Sequence, residues 1–385
     1  MERPRVLIVT YTVAGADPRV LRQVEALRGA ADITVAAKAG SEMSAVRFVD
    51  IGIGVGPEGR ISWSLRRAIA ALLLLVRSEA ALGWFTGTRV RRLGVLRGER
   101  FDVVVANDVE CLPAVYRYLG GVPRVVLDAH EFAEDEFPER IVWRVLVHPL
   151  LRRVSRRYLP RVDGMMTVSA GLAELFEERY GCRAEVVMSA DAFVDLDPSA
   201  LREDVVRMVH VGGHSPVRGL DTLCETVELL GEGYTLDFYL IAQSGYEGFR
   251  RRWEGHPRIT FHEPVPMGEV ARTVNAYDIG AFSLPPTSLN AIHVLPNKFF
   301  QFVHGRVAVA IGPSEEMARL VCEYGCGMVA EDFSAEALAA AIAPLTREDL
   351  WRMKLGSDAA AAELNLERFA QTIRKVVLPE LEQSS

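Results

Sequence analysis

Two segments in the second half of the chain carry residue types suited to holding a phosphate. Residues 206–211 read VRMVHV, an apolar strand pattern that runs into Gly212-Gly213-His214-Ser215-Pro216-Val217-Arg218-Gly219-Leu220 and then into helical spacing. Glycines at a strand-to-helix turn let backbone N–H groups approach a phosphate, and a helix N-terminus favours its charge. Arg218 adds a permanently charged, forked donor. A tight turn with a surface arginine would give the same letters. The second segment runs from Thr287-Ser288-Leu289-Asn290 through His293-Val294-Leu295-Pro296-Asn297-Lys298-Phe299-Phe300-Gln301 to Gly305. Asn297 and Lys298, after a proline, open a helix, and Lys298 is one of only four lysines in the chain. A second helix start facing the first would clamp a diphosphate from both sides. The alternative is a capped structural helix, with Phe299, Phe300 and Phe302 expected in the core in either case.

These segments need a scaffold, and the hydrophobic pattern supplies one. At 385 residues the chain exceeds what a single core accommodates, so two domains are expected. Arg5 to Thr10 is a short apolar run of the kind buried on both faces of a parallel sheet. From Pro18 the apolar residues Val20, Val24 and Leu27 recur at helical spacing, and Ile33 to Ala37 reads as the next strand. The alternation returns at Val103–Ala106, Arg124–Leu127 and Met165–Val168. Between about 190 and 204 it lapses into linker composition. A second series follows at Val206–Val211, Leu236–Ala242, Ile259–Phe261, Ile279–Ser283 and Val307–Ile311. The pattern predicts an α/β chain of two Rossmann-like, doubly wound domains, 1–190 and 205–360, with a ligand cleft between them at the carboxyl ends of the strands. In the last stretch, 361–385, a helix from about Asn365 to Val377 is expected to pack back across the junction.

Composition narrows the class. Apolar residues make up 49% and charged residues 25%, enough for a large core and a soluble surface. A net charge of -7 argues against a dedicated nucleic-acid binder. The five cysteines are scattered, and Cys322 and Cys326 lack a second ligand pair, so neither a disulfide framework nor a zinc site is expected. The N-terminus enters a strand pattern with no leader, which implies the cytoplasm. The run Ala70–Val76 is far too short to span a bilayer. Arg140 to Arg161 mixes apolar residues with arginines, and reads either as a helix lying peripherally on anionic lipid or as a solvated face with snorkelling arginines.

Taken in order, Gly212, Arg218-Gly219-Leu220, Leu295-Pro296-Asn297-Lys298-Phe299-Phe300-Gln301 and Gly305 resemble the GT-B-fold glycosyltransferases of family 4, in the branch with an arginine-glycine-leucine turn and an LPNK segment. Asp17-Pro18-Arg19-Val20-Leu21, Ala106-Asn107-Asp108, Asp128-Ala129-His130-Glu131 and Thr167-Val168-Ser169 extend the likeness to about residues 5 to 375. The resemblance implies a nucleoside-diphosphate sugar donor, UDP first and GDP next, bound by the C-terminal domain. It also implies a glycan or small-molecule acceptor on the N-terminal domain, retention of anomeric configuration, and no metal or other cofactor.

The same resemblance gives Arg218 and Lys298 the diphosphate, with Gly212, Gly213, His214, His293, Leu295, Pro296, Asn297 and Gln301 around the donor. His130 faces the reaction centre or is a structural histidine. Asp17 orients the acceptor or caps the helix that begins at Pro18. Asn107, Asp108 and Glu131 are further acceptor candidates. Gln301 stands where the family has a glutamate for the ribose, and His293 where it has a paired glutamate, which leaves the sugar open. A UDP-sugar epimerase of similar architecture and a degenerate nucleotide-binding protein are the rival readings. Polysaccharide assembly, a lipid-linked glycan and tailoring of an antibiotic-like metabolite all fit the acceptor side.

Overall fold

The computed structural model describes residues 3–38, 43, 46–52, 63–86, 88, 90–121, 123–214 and 219–379. The chain divides into two compact units, Met1–Met188 with Phe369–Ser385, and Ser189–Arg368. In the first, seven strands run parallel: β1 (Arg5–Val13), β2 (Asp32–Lys38), β3 (Arg47–Asp50), β4 (Val103–Asn107), β5 (Arg124–Ala129), β6 (Gly164–Thr167) and β7 (Glu185–Val186), in the order β3-β2-β1-β4-β5-β6-β7. Ile8 lies opposite Val35 on one side and Val105 on the other. Strands covered on both faces have no polar side to show, so Val104, Val105 and Ala106 are wholly excluded from water. Burial of this kind stabilises by roughly 1.5–3 kcal/mol per valine. The order reverses between β1 and β4, and such a switch point opens a crevice at the carboxyl ends of the strands.

The helix Pro18–Leu27 covers this sheet with Val20, Val24 and Leu27 turned inward. Its start is fixed by Asp17, whose Oδ1 accepts from the Arg19 amide at 3.0 Å, and by proline at the first position. The Arg140–Arg161 segment is not one regular helix. A π-helical turn at Trp143–Val147 precedes the α-helix His148–Tyr158 and a 3-10 turn at Leu159–Arg161. Leu150, Leu151 and Val154 are buried, while Ile141, Val142 and Val145 are exposed. No helix among the described residues is long and apolar enough to cross a membrane.

The second unit repeats the plan with six parallel strands: β8 (Val206–Gly213), β9 (Tyr234–Ile241), β10 (Ile259–His262), β11 (Ile279–Phe282), β12 (Ala308–Ile311) and β13 (Gly327–Val329), in the order β10-β9-β8-β11-β12-β13. Its switch point lies between β8 and β11. The helix Leu220–Leu230 follows β8, and the helix Asn297–His304 packs over β11 through Phe302. A Cβ on Gly280 would stand 2.4 Å from the Phe302 ring, so glycine is what lets that ring lie against the strand. The last helix, Leu366–Val377, follows the helix Arg347–Glu363 after a two-residue break. From Phe369 onward the chain belongs to the first unit, where Ile373, Val376 and Val377 join a core with Val6, Ile8 and Val105.

Candidate functional site

Each unit carries chemistry at its own switch point. In the first, a cavity of about 410 Å³ opens at the ends of β1, β4 and β5. Asp108 follows β4 with φ 67° and ψ 156°, backbone space almost reserved for glycine and costing on the order of 1–3 kcal/mol for other residues. Both of its oxygens are anchored: Oδ1 accepts from the His130 amide at 3.2 Å, and Oδ2 from Arg19 Nη1 at 2.5 Å. Burial works against the Arg19 charge, but Asp108 and Asp17 outweigh it and hold its proton more tightly than usual. His130 follows β5 and lines the cavity, with Nε2 3.7 Å from Asp128 Oδ1. Asp128 is buried, which alone would raise its pKa; His130, Arg19 and Gln23 prevail and keep it below the usual range.

Gln23 acts as a strut behind this wall. Its Nε2 donates to Asn107 Oδ1 at 2.8 Å and to Asp128 Oδ2 at 2.5 Å, while Asn107 Nδ2 returns a bond to Gln23 Oε1 at 3.1 Å. Asn107 therefore lines the cavity with its amide already engaged. Asn107, Asp108, His130 and Glu131 share the cavity, and Asp17 is not part of its lining. The Asp17 carboxylate serves the helix cap and accepts from Thr12 Oγ1 at 2.6 Å.

Two carboxyls that the sequence pattern does not single out, Glu110 and Glu136, complete the lining. Burial first, then repulsion from Asp108, raises Glu110 to about 7. Burial, then Glu131, Glu110 and Asp108, raises Glu136 to about 8. Glu131 is raised for the same two reasons, burial and Asp108. Nothing in the spacing of Glu110 and Glu136 marks them, because they come from two loops that only the fold brings together.

In the second unit Lys298 is the centre. It sits in the first turn of Asn297–His304, 6% exposed, with Nζ 3.0 Å from His210 Nε2 and 4.5 Å from the centre of the Phe282 ring. His210 Nδ1 lies 2.8 Å from the Ala281 carbonyl. A carbonyl only accepts, so Nδ1 carries the hydrogen and Nε2 offers its lone pair to the ammonium. Gly212, at φ 112°, has no side chain between its backbone and Lys298: a Cβ there would lie 3.5 Å from Nζ. Nearby, Ser283 Oγ is buried without a hydrogen-bond partner among the described residues. It lies 3.6 Å from where a Cβ on Gly219 would stand, at the start of the helix Leu220–Leu230.

The other donor candidates have varied surroundings. Gly213 packs against the Gln243 side-chain amide. His214 turns into the core, with Nδ1 3.1 Å from the Ser244 carbonyl and its ring 5.4 Å from that of Phe249. Leu295 is buried, Pro296 precedes the helix, and Asn297 and Gln301 are half-buried on it. His293 ends the short helix Leu289–Ile292, and its Nδ1 has no hydrogen-bond partner among the described residues. Arg218 lies outside the described residues. His210 was legible in principle, as the one histidine inside the apolar strand VRMVHV, yet a lone histidine has no spacing to mark it, unlike the glycines that follow. Among the described residues, no three His, Cys, Asp or Glu side chains gather as a metal site.

Two Rossmann-like α/β units with this strand order define the GT-B fold. Solved structures of that fold resemble the chain along its whole length. A sucrose-phosphate synthase from Thermosynechococcus elongatus matches with a TM-score of 0.73 at 14% identity, covering 100% of both chains. An α,α-trehalose 6-phosphate synthase from Burkholderia multivorans matches with a TM-score of 0.66 at 12% identity, again over 100% of both. WaaG, a glycosyltransferase involved in lipopolysaccharide biosynthesis, matches with a TM-score of 0.63 at 14% identity, over 97% of this chain and 99% of that one. No family model and no curated protein matches the sequence.

Proposed function

We propose that the chain is a retaining, metal-independent glycosyltransferase of the family 4 type. Its second unit would bind a nucleoside-diphosphate sugar, and its first would bind a glycan or small-molecule acceptor. The observation that carries this reading is Lys298, a nearly buried cation held beside Gly212 at the switch point of β8 and β11. A fixed cation there offsets the charge that grows on a departing diphosphate, and stabilising developing charge is commonly the main source of rate acceleration in such catalysis. Ser283 Oγ and the start of the helix Leu220–Leu230 add donors on the same side, and Arg218 supplies the second cation by resemblance. In the reaction, the bond from the anomeric carbon to the β-phosphate oxygen breaks and the acceptor oxygen bonds from the same face. The acceptor's proton passes to the departing phosphate oxygen. His130 borders the acceptor.

The test is thermal unfolding of the purified chain with UDP, GDP, ADP and TDP, with and without a divalent cation. One nucleotide at about 100 times its Kd should stabilise by roughly 2.7 kcal/mol without metal, and the shift should vanish in Lys298→Ala and Arg218→Ala. Absence of any shift would overturn the donor assignment. The raised carboxyls Glu110 and Glu136 favour one rival, an epimerase that moves protons at the sugar. Release of free nucleotide from a UDP-sugar with no acceptor present, together with an inverted sugar, would establish that rival instead.

A further inference from the structure

We propose that the cavity at the ends of β1, β4 and β5 receives a protonated amine, so that the acceptor is an amino sugar, an aminocyclitol or a similar amine-bearing polyol. The acceptor part of this statement rests on the transferase reading; the cation site does not. The charges facing the cavity are uneven. Asp108, Glu110, Glu131 and Glu136 face it from the loops after β4 and β5, against Arg19 and Lys38, with His130 between. The Arg19 charge is already paired, with Nη1 on Asp108 and Nε 3.7 Å from Asp17 Oδ1, although Nε itself makes no hydrogen bond among the described residues. Among the described residues none of Glu110, Glu131 and Glu136 has an ion pair, which leaves three carboxyls to one lysine.

A second observation points to a ligand. Glu110 Oε2 is shut off from solvent and has no hydrogen-bond partner among the described residues. A buried acceptor without a donor is costly, and the cost is relieved when a ligand brings the donor. An ammonium offers three donors and no acceptor, which suits a wall of carboxyls that would repel a phosphate. Tyr11 and Trp143 line the same space and present aromatic surface of the kind that favours cations. The raised carboxyls agree: burial and mutual repulsion raise all three, Glu110 to about 7 and Glu136 to about 8, and an entering cation would displace the protons they hold.

The experiment is calorimetric titration of the full chain at pH 7.5. The probes are 2-deoxystreptamine and glucosamine, their neutral counterparts myo-inositol and glucose, and glucose 6-phosphate. At least one amine is expected to bind ten or more times more tightly than its neutral counterpart, with proton release that scales across buffers of different ionisation enthalpy. Glu110→Gln and Glu136→Gln should each weaken the amine at least tenfold while leaving the nucleotide-induced melting shift intact. These variants only remove charge from a crowded acidic wall, so loss of folding is not expected, and the nucleotide shift verifies it. Equal or tighter binding of the neutral or phosphorylated probes, or no amine binding in a chain that binds nucleotide, overturns the proposal. Amine binding in a chain that neither binds nor consumes any nucleotide sugar would keep the cation site and remove the transferase reading.

Discussion

Lys298 and His210 form a pair whose polarity is set by a third group, the Ala281 carbonyl, and this makes the lysine nitrogen the donor. Replacing Lys298 with Ala should lower kcat about 10²–10³-fold, by analogy with loss of one charge-stabilising donor, with a melting temperature that still reports a folded chain. Activity within a few-fold of the parent would defeat the diphosphate role. Glu136 makes a different prediction. Its proton is held to about pH 8 in the folded chain against the ordinary 4.5, so between those values the native state binds more protons than the unfolded one. Stability from this carboxyl is therefore fully present below the ordinary value and is lost as pH rises through 8. Glu136→Gln should raise the melting temperature at pH 8.5 and change it little at pH 4.5; equal effects at both would contradict the burial argument. Residue type alone made Lys298 legible, because it is rare in this chain and follows a proline. Glu110 and Glu136 were not legible, since their pKa comes from neighbours that are near only after folding.

At the scale of elements, Gly280 and Phe302 decide where Lys298 goes. Lys298 and Phe302 are four residues apart on one helix face, so seating the ring on β11 brings the lysine over Phe282 and His210. Gly280→Ala should destabilise the second unit by about 1–3 kcal/mol through overpacking, read by urea denaturation. Because the helix must move to relieve the clash, nucleotide affinity should fall as well, and Phe302→Leu in the same chain should restore part of both. A loss of stability with unchanged nucleotide affinity would show that the helix is not what positions the cation. The central strands were legible as apolar runs, and their observed ends lie within a few residues of the expected ones. β3, β7 and β13 were not, because they are short edge elements whose burial is partial. β13 also opens with Gly327, a poor strand former that is needed here because a Cβ would collide with the Val309 carbonyl.

At the scale of the whole molecule, two units with separate cores should unfold as separable events. Calorimetric heating is expected to resolve two transitions, with nucleotide raising only the one that belongs to Ser189–Arg368. Deleting residues after Arg368 should lower the other, since it strips Ile373, Val376 and Val377 from the first core. The same deletion leaves the Ala26 carbonyl without the Arg374 donor and the Arg124 guanidinium without the Val376 carbonyl. A single transition that shifts as a whole would show one cooperative body instead. The return of the last helix also sets an order of events during synthesis. The ribosome delivers most of the first unit early but withholds the strip that seals it until all of Ser189–Arg368 has been made. At roughly 5–20 residues per second that wait is on the order of tens of seconds. During it the nascent sheet carries an open seam along its hydrophobic layer, and the unit begun second is the first that can close.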